Sequence, residues 1–398
     1  TDSRDILPGM LFAALPGQNF DGHDCVQQAK DAGAVALLVS REVETDLPVL
    51  QVEDVLQALG TLAGAWRLQC PAKVVGITGS NGKTTVKEMI ASILDLSATV
   101  LATAGNFNNE LGLPLTLFRL DHSHDYAVIE MGASKPGDIA YLGEIAKPEV
   151  GVITNVGPAH LEGFVDVEGV ARAKGEMYAS LPKDGTAVMN LDEPWVDMWR
   201  SVNRAGNVIC FNGDGQVRAS FTDNNWLVST PVGDFELNLP LPGLHNVSNA
   251  LAATAVCLAF DVPLADISRG LATVKSVPGR LNLVEAVAGW TVIDDTYNAN
   301  PASLYAALQV LATQIGEPWL VLGDMKELGR GSRKIHAELG DAARSLGVKR
   351  LFALGDASEA TVDAFGPNAS HFNDKESLIE ALLDQLRPDV ACLVKGSF

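Results

Sequence analysis

The chain has 398 residues, and 29 lysines and arginines against 49 aspartates and glutamates give a formal charge of −20 at pH 7. That length suggests two or three domains, each able to bury a core, and 47% hydrophobic with 20% charged residues excludes a disordered chain. The acidic balance argues against a nucleic-acid or anionic-membrane binder, which needs a basic face, while leaving room for a local basic site for one polyanionic ligand.

Residues 1–71 combine short apolar runs at 34–39 and 49–52 with a helical stretch at 55–68, closed by Pro71. Residues 72–282 carry three apolar runs, 74–78, 126–130 and 150–155, each ending in a polar or Gly-rich segment and separated by helix-like stretches. This is the pattern of a doubly wound parallel sheet, whose ligands bind at the carboxyl ends of the strands. Short β segments with turn signals follow over 206–240, then a helix over 247–260. In residues 283–398, strand-like runs at 291–293, 319–322, 350–354 and 390–394 alternate with helical patterns. They predict a Rossmann-like α/β domain without a GxGxxG turn. The fold class is therefore α/β in three domains: a small α/β N-terminal domain, a central domain with a mostly parallel sheet, and a C-terminal Rossmann-like domain.

Cys25, Cys70, Cys210, Cys257 and Cys392 are scattered and lack CxxC spacing, which points to a reducing, cytoplasmic setting. The longest apolar run, 250–260, is too short to span a bilayer, so no membrane insertion is expected. No signal segment is expected, although the sequence starts at Thr1 without an initiator Met and reads as trimmed. The chain stops at Phe398 directly after a predicted strand, so the natural C-terminus is expected further on.

The sharpest motif is Gly76-Ile77-Thr78-Gly79-Ser80-Asn81-Gly82-Lys83-Thr84-Thr85. It follows a strand and opens a helix over 86–94. Glycines let backbone N–H groups turn inward around phosphate oxygens, and the helix N-terminus adds partial positive charge. Lys83 would pair with the β and γ phosphates and the Thr84 hydroxyl would ligate Mg²⁺. GxxxxGK[ST] misses by one residue, because Ile77 stands where its first Gly belongs.

A predicted helix over 168–181 places Lys174 on the same face as Val170, Ala171, Met177, Tyr178 and Leu181. A lysine there must snorkel, pair or lose its charge. A neutral amine can take up CO₂ as a carbamate, which makes the lysine a carboxylate-like metal ligand. Glu130 closes the second strand and His160 lies in the loop after the third, at the same sheet edge as Lys83. Singly, each reads as an ordinary surface or loop residue; together with Lys83, a carboxylate and an imidazole suit Mg²⁺ or Mn²⁺ bound to phosphate.

These residues together resemble the Mur ligase family of ATP-dependent amide-bond synthetases, over essentially the whole chain. The resemblance implies the three-domain fold and assigns the phosphate loop to residues 76–85. It implies a metal set of Thr84, Glu130, His160 and carbamylated Lys174, with Lys83, Glu130, His160 and Lys174 carrying catalysis. ATP binding is implied for Thr78, Gly79, Ser80, Asn81, Gly82, Lys83, Thr84 and Thr85, with Asn249 at the base, Arg280 at a phosphate and Asp295 at the ribose. Ser3, Arg4, Asn106, Asn108, Tyr297, Asn298 and Asn300 become substrate candidates, although Ser3 also reads as a turn hydrogen-bonder and Asn106 as a loop cap.

The runs Asn106-Phe107-Asn108-Asn109-Glu110, Asp294-Asp295-Thr296-Tyr297-Asn298-Ala299-Asn300-Pro301 and Leu322-Gly323-Asp324-Met325-Lys326-Glu327-Leu328-Gly329 are similar to the family member that adds a dipeptide. The Asp-Asn-Pro-Arg motif of the sibling that adds the third amino acid is missing. The implied reaction has ATP phosphorylate the terminal carboxylate of UDP-MurNAc-tripeptide, after which the amine of D-Ala-D-Ala attacks the acyl phosphate. It serves peptidoglycan synthesis, and through it cell shape and division. Two Mg²⁺ ions, or Mn²⁺, and the CO₂-derived carbamate on Lys174 are the implied cofactors, the N-terminal domain takes the UDP-sugar, a monomer is expected, and a hinge is expected over 280–283. A folate polyglutamate synthetase would share the loop and the lysine. A P-loop kinase or transport ATPase leaves Lys174 and the third domain without a task, and a non-enzymatic ATP-binding regulator predicts that Lys83 and Lys174 are dispensable.

Overall fold

In the computed structural model, which describes residues 1–17, 20–158, 161–285 and 289–397, the apolar runs become strands of four sheets. β1 (Leu11–Ala13), β2 (Ala36–Val39) and β3 (Val49–Gln51) form a small parallel sheet in that order. β1 is absent from the sequence reading because three residues are too few to show a period. The helix Val55–Arg67 begins at Asp54, whose carboxylate accepts the N–H groups of Leu56 and Gln57 at 2.8 and 3.0 Å. The helix ties this block to the next, since Trp66 Nε1 donates to the Leu120 carbonyl at 2.8 Å and Arg67 Nε to that of Ala146 at 3.1 Å.

The central sheet contains β4 (Lys73–Thr78), β5 (Val100–Ala102), β6 (Tyr126–Glu130), β7 (Val150–Ile153), β8 (Thr186–Asn190) and β9 (Asn207–Phe211), all parallel, in the order β5-β6-β4-β7-β8-β9. Successive residues of a strand face opposite ways. Val75, Ile77 and Val128 therefore pack under the helices Lys83–Leu94 and Leu244–Leu258, and Val74 and Ile129 under Met177, Tyr178 and Trp199. β7 ends at Ile153, two residues before the predicted end, and Thr154 and Asn155 leave the sheet. The helix expected at 247–260 runs instead from Leu244 to Leu258.

Of the β segments expected over 206–240, β9 closes the edge of the central sheet. β10 (Arg218–Thr222), β11 (Asn225–Thr230) and β12 (Gly233–Leu237) make a separate antiparallel sheet. Its first turn, Asp223-Asn224, has positive φ at both residues, 50° and 69°, as a two-residue hairpin requires.

The last sheet comprises β13 (Asn282–Glu285), β14 (Thr291–Asp295), β15 (Glu317–Gly323), β16 (Arg350–Leu354), β17 (Ala369–Phe372) and β18 (Val390–Lys395), ordered β13-β14-β18-β15-β16-β17. All neighbours are parallel except β13 with β14. The order is Rossmann-like from β15 through β18, with a switch between those two strands. β13 and β17 are additions to the sequence reading. Among the described residues, no helix is long and apolar enough to cross a membrane.

The helix Val167–Ser180, which carries Lys174, is held from two sides. Tyr178 accepts the Ile153 N–H at 3.3 Å and donates to the Val188 carbonyl at 2.7 Å, joining it to β7 and β8. Trp199 is fully buried, donates Nε1 to the Ala171 carbonyl at 3.0 Å and meets the Tyr178 ring edge-on at 5.8 Å. Trp199→Ala is expected to lower stability by about 3–5 kcal/mol, read as a reduced midpoint in guanidinium unfolding.

Candidate active site

The carboxyl ends of β4, β6 and β7 meet at the phosphate loop. Gly79 and Gly82 adopt φ of 153° and 80°. A Cβ on Gly79 would collide with the Thr154 hydroxyl, and one on Gly82 would come within 2.5 Å of Asn249 Oδ1, so both positions require glycine for space as well as for backbone angle. The loop is zipped to the segment after β7. Thr154 Oγ1 and Asn155 Nδ2 both donate to the Asn81 carbonyl, at 2.6 and 3.0 Å. Asn81 N donates back to Asn155 Oδ1 at 2.9 Å, and the Ser80 hydroxyl bridges to the Gly157 carbonyl at 3.1 Å. No side chain caps the helix Lys83–Leu94, whose N-cap is Gly82. Its first N–H groups are left for an anion.

Thr84 donates its hydroxyl to Glu130 Oε2 at 2.9 Å, and Asn108 donates Nδ2 to Glu130 Oε1 at 2.8 Å. The Glu130 N–H donates to Thr103 Oγ1 at 3.0 Å, so this buried carboxylate is fixed through backbone and side chain. Lys83 donates to the Gly79 carbonyl at 2.9 Å. Lys174 is buried, and burial first and the Lys83 charge second push its ammonium well below the ordinary lysine range. Among the described residues it has no hydrogen-bond or ion-pair partner. Burial lowers Lys83 too; Glu130 opposes the shift and Arg280 adds to it.

These groups line one cavity of about 940 Å³ that runs from the phosphate loop to the C-terminal sheet. Gly79 to Lys83, Thr85, Asn106, Asn108, Glu130, Lys174, Asn249, Arg280, Asp295, Tyr297, Asn298 and Asn300 border it; Thr78 and Thr84 are buried and do not line it, although Thr84 bonds to the lining Glu130. Asn249 donates to Asn246 Oδ1 at 3.0 Å, next to Gly82. His245 also faces the cavity, and burial holds its imidazole toward the neutral form. Asn300 caps the helix Pro301–Leu311 and donates Nδ2 to Asn81 Oδ1 at 2.7 Å, a direct bond between the C-terminal block and the phosphate loop.

Ser3 and Arg4 do not border this cavity: Ser3 donates to Gln28 Oε1 at 2.9 Å and Arg4 pairs with Asp2 at 2.6 Å. His160 lies outside the described residues. The sequence reading missed Lys395, which ends β18 beside Asp295 and forms a buried ion pair with it, while Nζ also donates to the Asn298 carbonyl at 2.9 Å. Its one signal is a lysine at the carboxyl end of an apolar strand. Thr154 and Asn155 were read as strand, although an Asn just after a strand is a turn signal.

The sequence matches the Mur ligase family catalytic domain over residues 1–67, the Mur ligase middle domain over 77–257 and the Mur ligase glutamate ligase domain over 279–398. It is 45% identical over 409 aligned residues to the UDP-N-acetylmuramoyl-tripeptide–D-alanyl-D-alanine ligase of Escherichia coli, covering all of this chain and 90% of that one. Among solved structures, MurF from Acinetobacter baumannii superimposes with a TM-score of 0.94 at 37% identity, over all of this chain and 89% of that one. The MurF ligase of Thermotoga maritima in complex with ADP does so with 0.88 at 31%, over all of this chain and 93% of that one.

Because the folded chain disfavours the Lys174 proton, the unfolded chain binds more protons. Stability therefore rises with pH between the depressed folded value and the ordinary 10.5. Without ligands and in bicarbonate-free buffer, Lys174→Met is expected to be more stable than wild type at pH 7, by on the order of 1–3 kcal/mol. The difference should shrink as the pH approaches that of free lysine. Denaturant midpoints across that range check both the sign and the trend.

Proposed function

The chain belongs to the Mur ligase family, and from that premise we infer that it is an ATP-dependent, ADP-forming ligase joining D-Ala-D-Ala to UDP-MurNAc-tripeptide in peptidoglycan precursor synthesis. The observation that carries this is the 45% identity to the Escherichia coli ligase of that reaction over the whole chain. In the reaction, the terminal carboxylate of the tripeptide takes the γ-phosphoryl group, and ADP leaves. The amine of D-Ala-D-Ala then attacks the acyl phosphate, the tetrahedral intermediate expels phosphate, and an amide remains.

Two anions, carboxylate and γ-phosphate, must approach before anything reacts. Lys83, the uncapped helix N-terminus and Arg280 supply positive charge on the cavity side from which phosphate enters. No side-chain nucleophile is required, so positioning and charge stabilisation carry the rate.

The donor set fits a hard divalent cation: the Thr84 hydroxyl and the Glu130 carboxylate meet at 2.9 Å in a buried floor beside the phosphate loop. We assign Mg²⁺, two ions with Mn²⁺ as a substitute, to Thr84, Glu130, His160 and Lys174. Bound there, it would neutralise charge between nucleotide and acceptor. The proposed carbamate is supported by a buried Lys174 that has no partner among the described residues and whose proton is disfavoured: the neutral amine adds to CO₂, forms an N–C bond and releases one proton.

The division of labour proposed is residues 1–71 for the UDP-sugar, 72–282 for ATP and metal, and 283–398 for the dipeptide. Asn106, Asn108, Asn298 and Asn300 are the substrate-side residues of the cavity, with Ser3 and Arg4 kept for the UDP end, while Tyr297, expected from the sequence as a substrate residue, lies against the Arg280 guanidinium. Thr78 to Thr85, Asn249, Arg280 and Asp295 are assigned to ATP. The setting proposed is a cytoplasmic monomer, the cytoplasmic part supported by cysteines that are all unbridged.

Phosphate release from ATP is expected to need both UDP-MurNAc-tripeptide and D-Ala-D-Ala, with each omitted in turn. Lys83→Ala and Lys174→Ala should each reduce it by about a hundredfold or more, and short carboxylic acids should partly restore only the second. Release that ignores the dipeptide would point to a kinase or ATPase; full activity in Lys174→Ala would remove the carbamate. The linker at 280–283 is proposed as a hinge, supported by its place between the central and C-terminal sheets. Solution scattering should then show a smaller radius of gyration with an ATP analogue than without it.

A further inference from the structure

The Arg280 guanidinium lies over the Tyr297 ring, with Cζ 4.0 Å from its centroid. Around it, the linker is sewn to the end of β14. Gly279 N donates to Asp294 Oδ2 at 3.1 Å, Tyr297 N to the Gly279 carbonyl at 3.1 Å, and Leu281 N to Asp295 Oδ1 at 3.2 Å. A Cβ on Gly279 would approach Tyr297 N to 3.1 Å, so the linker rests directly on this residue. The nearby carboxylates are occupied by these amides and by Lys395. Arg280 Nε is buried, and among the described residues no group accepts its hydrogen bond. The Arg280 charge nonetheless reaches Lys83 and Lys395, lowering the proton affinity of both.

We propose that Tyr297 is a positioning residue: its ring holds the Arg280 guanidinium over the cavity for a nucleotide phosphate and makes no substrate contact of its own. A carboxylate in that position would consume the N–H donors and cancel the charge. An aromatic face orients the cation and leaves every donor free. The proposal rests on the reading of the cavity as a nucleotide site.

The test measures binding of a non-hydrolysable ATP analogue with Mg²⁺ to the full chain by calorimetry, together with KM values for the two acceptors. Tyr297 is 38% exposed, so truncation removes little core. Tyr297→Leu and Tyr297→Met should each weaken analogue binding roughly three- to tenfold and leave both acceptor KM values unchanged. Tyr297→Phe should restore the affinity. In an Arg280→Ala background, Tyr297→Leu should cost nothing further, because the interaction is already gone. Additive losses, a Phe variant as impaired as Leu, or a selective rise in one acceptor KM would each overturn the proposal and make Tyr297 a substrate contact. A wild-type chain that does not bind the analogue at all would refute the nucleotide reading itself, and the proposal with it.

Discussion

The site is organised around a buried amine. Lys174 is buried, and burial first and the Lys83 charge second disfavour its proton, in a chain whose net charge is strongly negative. Tyr178 and Trp199 lock the helix of Lys174 to the sheet, and the Thr154–Asn155 zipper locks the loop of Lys83. Arg280 adds a second positive group to that of Lys83, and among the described residues nothing accepts a hydrogen bond from its buried Nε. Such a cavity attracts polyanions through a local field that the global charge does not reveal. It also holds its charges in place before any ligand arrives, which is the condition for electrostatic catalysis without reorganisation.

The phosphate loop was legible because its information is local. Strand, glycine turn and helix follow one another within residues 73–94, and each glycine answers to a backbone angle or a near neighbour. Glu130 was legible for the related reason that a strand end in a doubly wound sheet faces the ligand. Lys174 stood out because a lysine on an apolar helical stripe is costly, and the structure buries it as that stripe implies.

What escaped the sequence depends on partners far away in the chain. Lys395 and Asp295 are 100 residues apart, and only the parallel pairing of β14 with β18 brings them together. Asn300 reads as a helix cap, and that local role hides its bond to Asn81, 219 residues earlier. Strands of three or four residues, such as β1, β13 and β17, fall below the length at which alternation can be seen; they exist because a neighbouring strand offers them hydrogen bonds. Ser3 and Arg4 illustrate the opposite limit, since a motif can mark residues without saying which cavity they serve.

The Asn300–Asn81 bond has a thermodynamic consequence. The helix it caps belongs to the C-terminal block, and the loop it touches belongs to the central one. A ligand on the loop that favours the state in which this bond is made therefore also favours that orientation of the helix, and a ligand on the helix that does so favours that arrangement of the loop. Linkage makes the two effects equal in free energy. A single amide at the head of a helix can thus make the two ends of a 940 Å³ cavity report on each other's occupancy without any separate regulatory site.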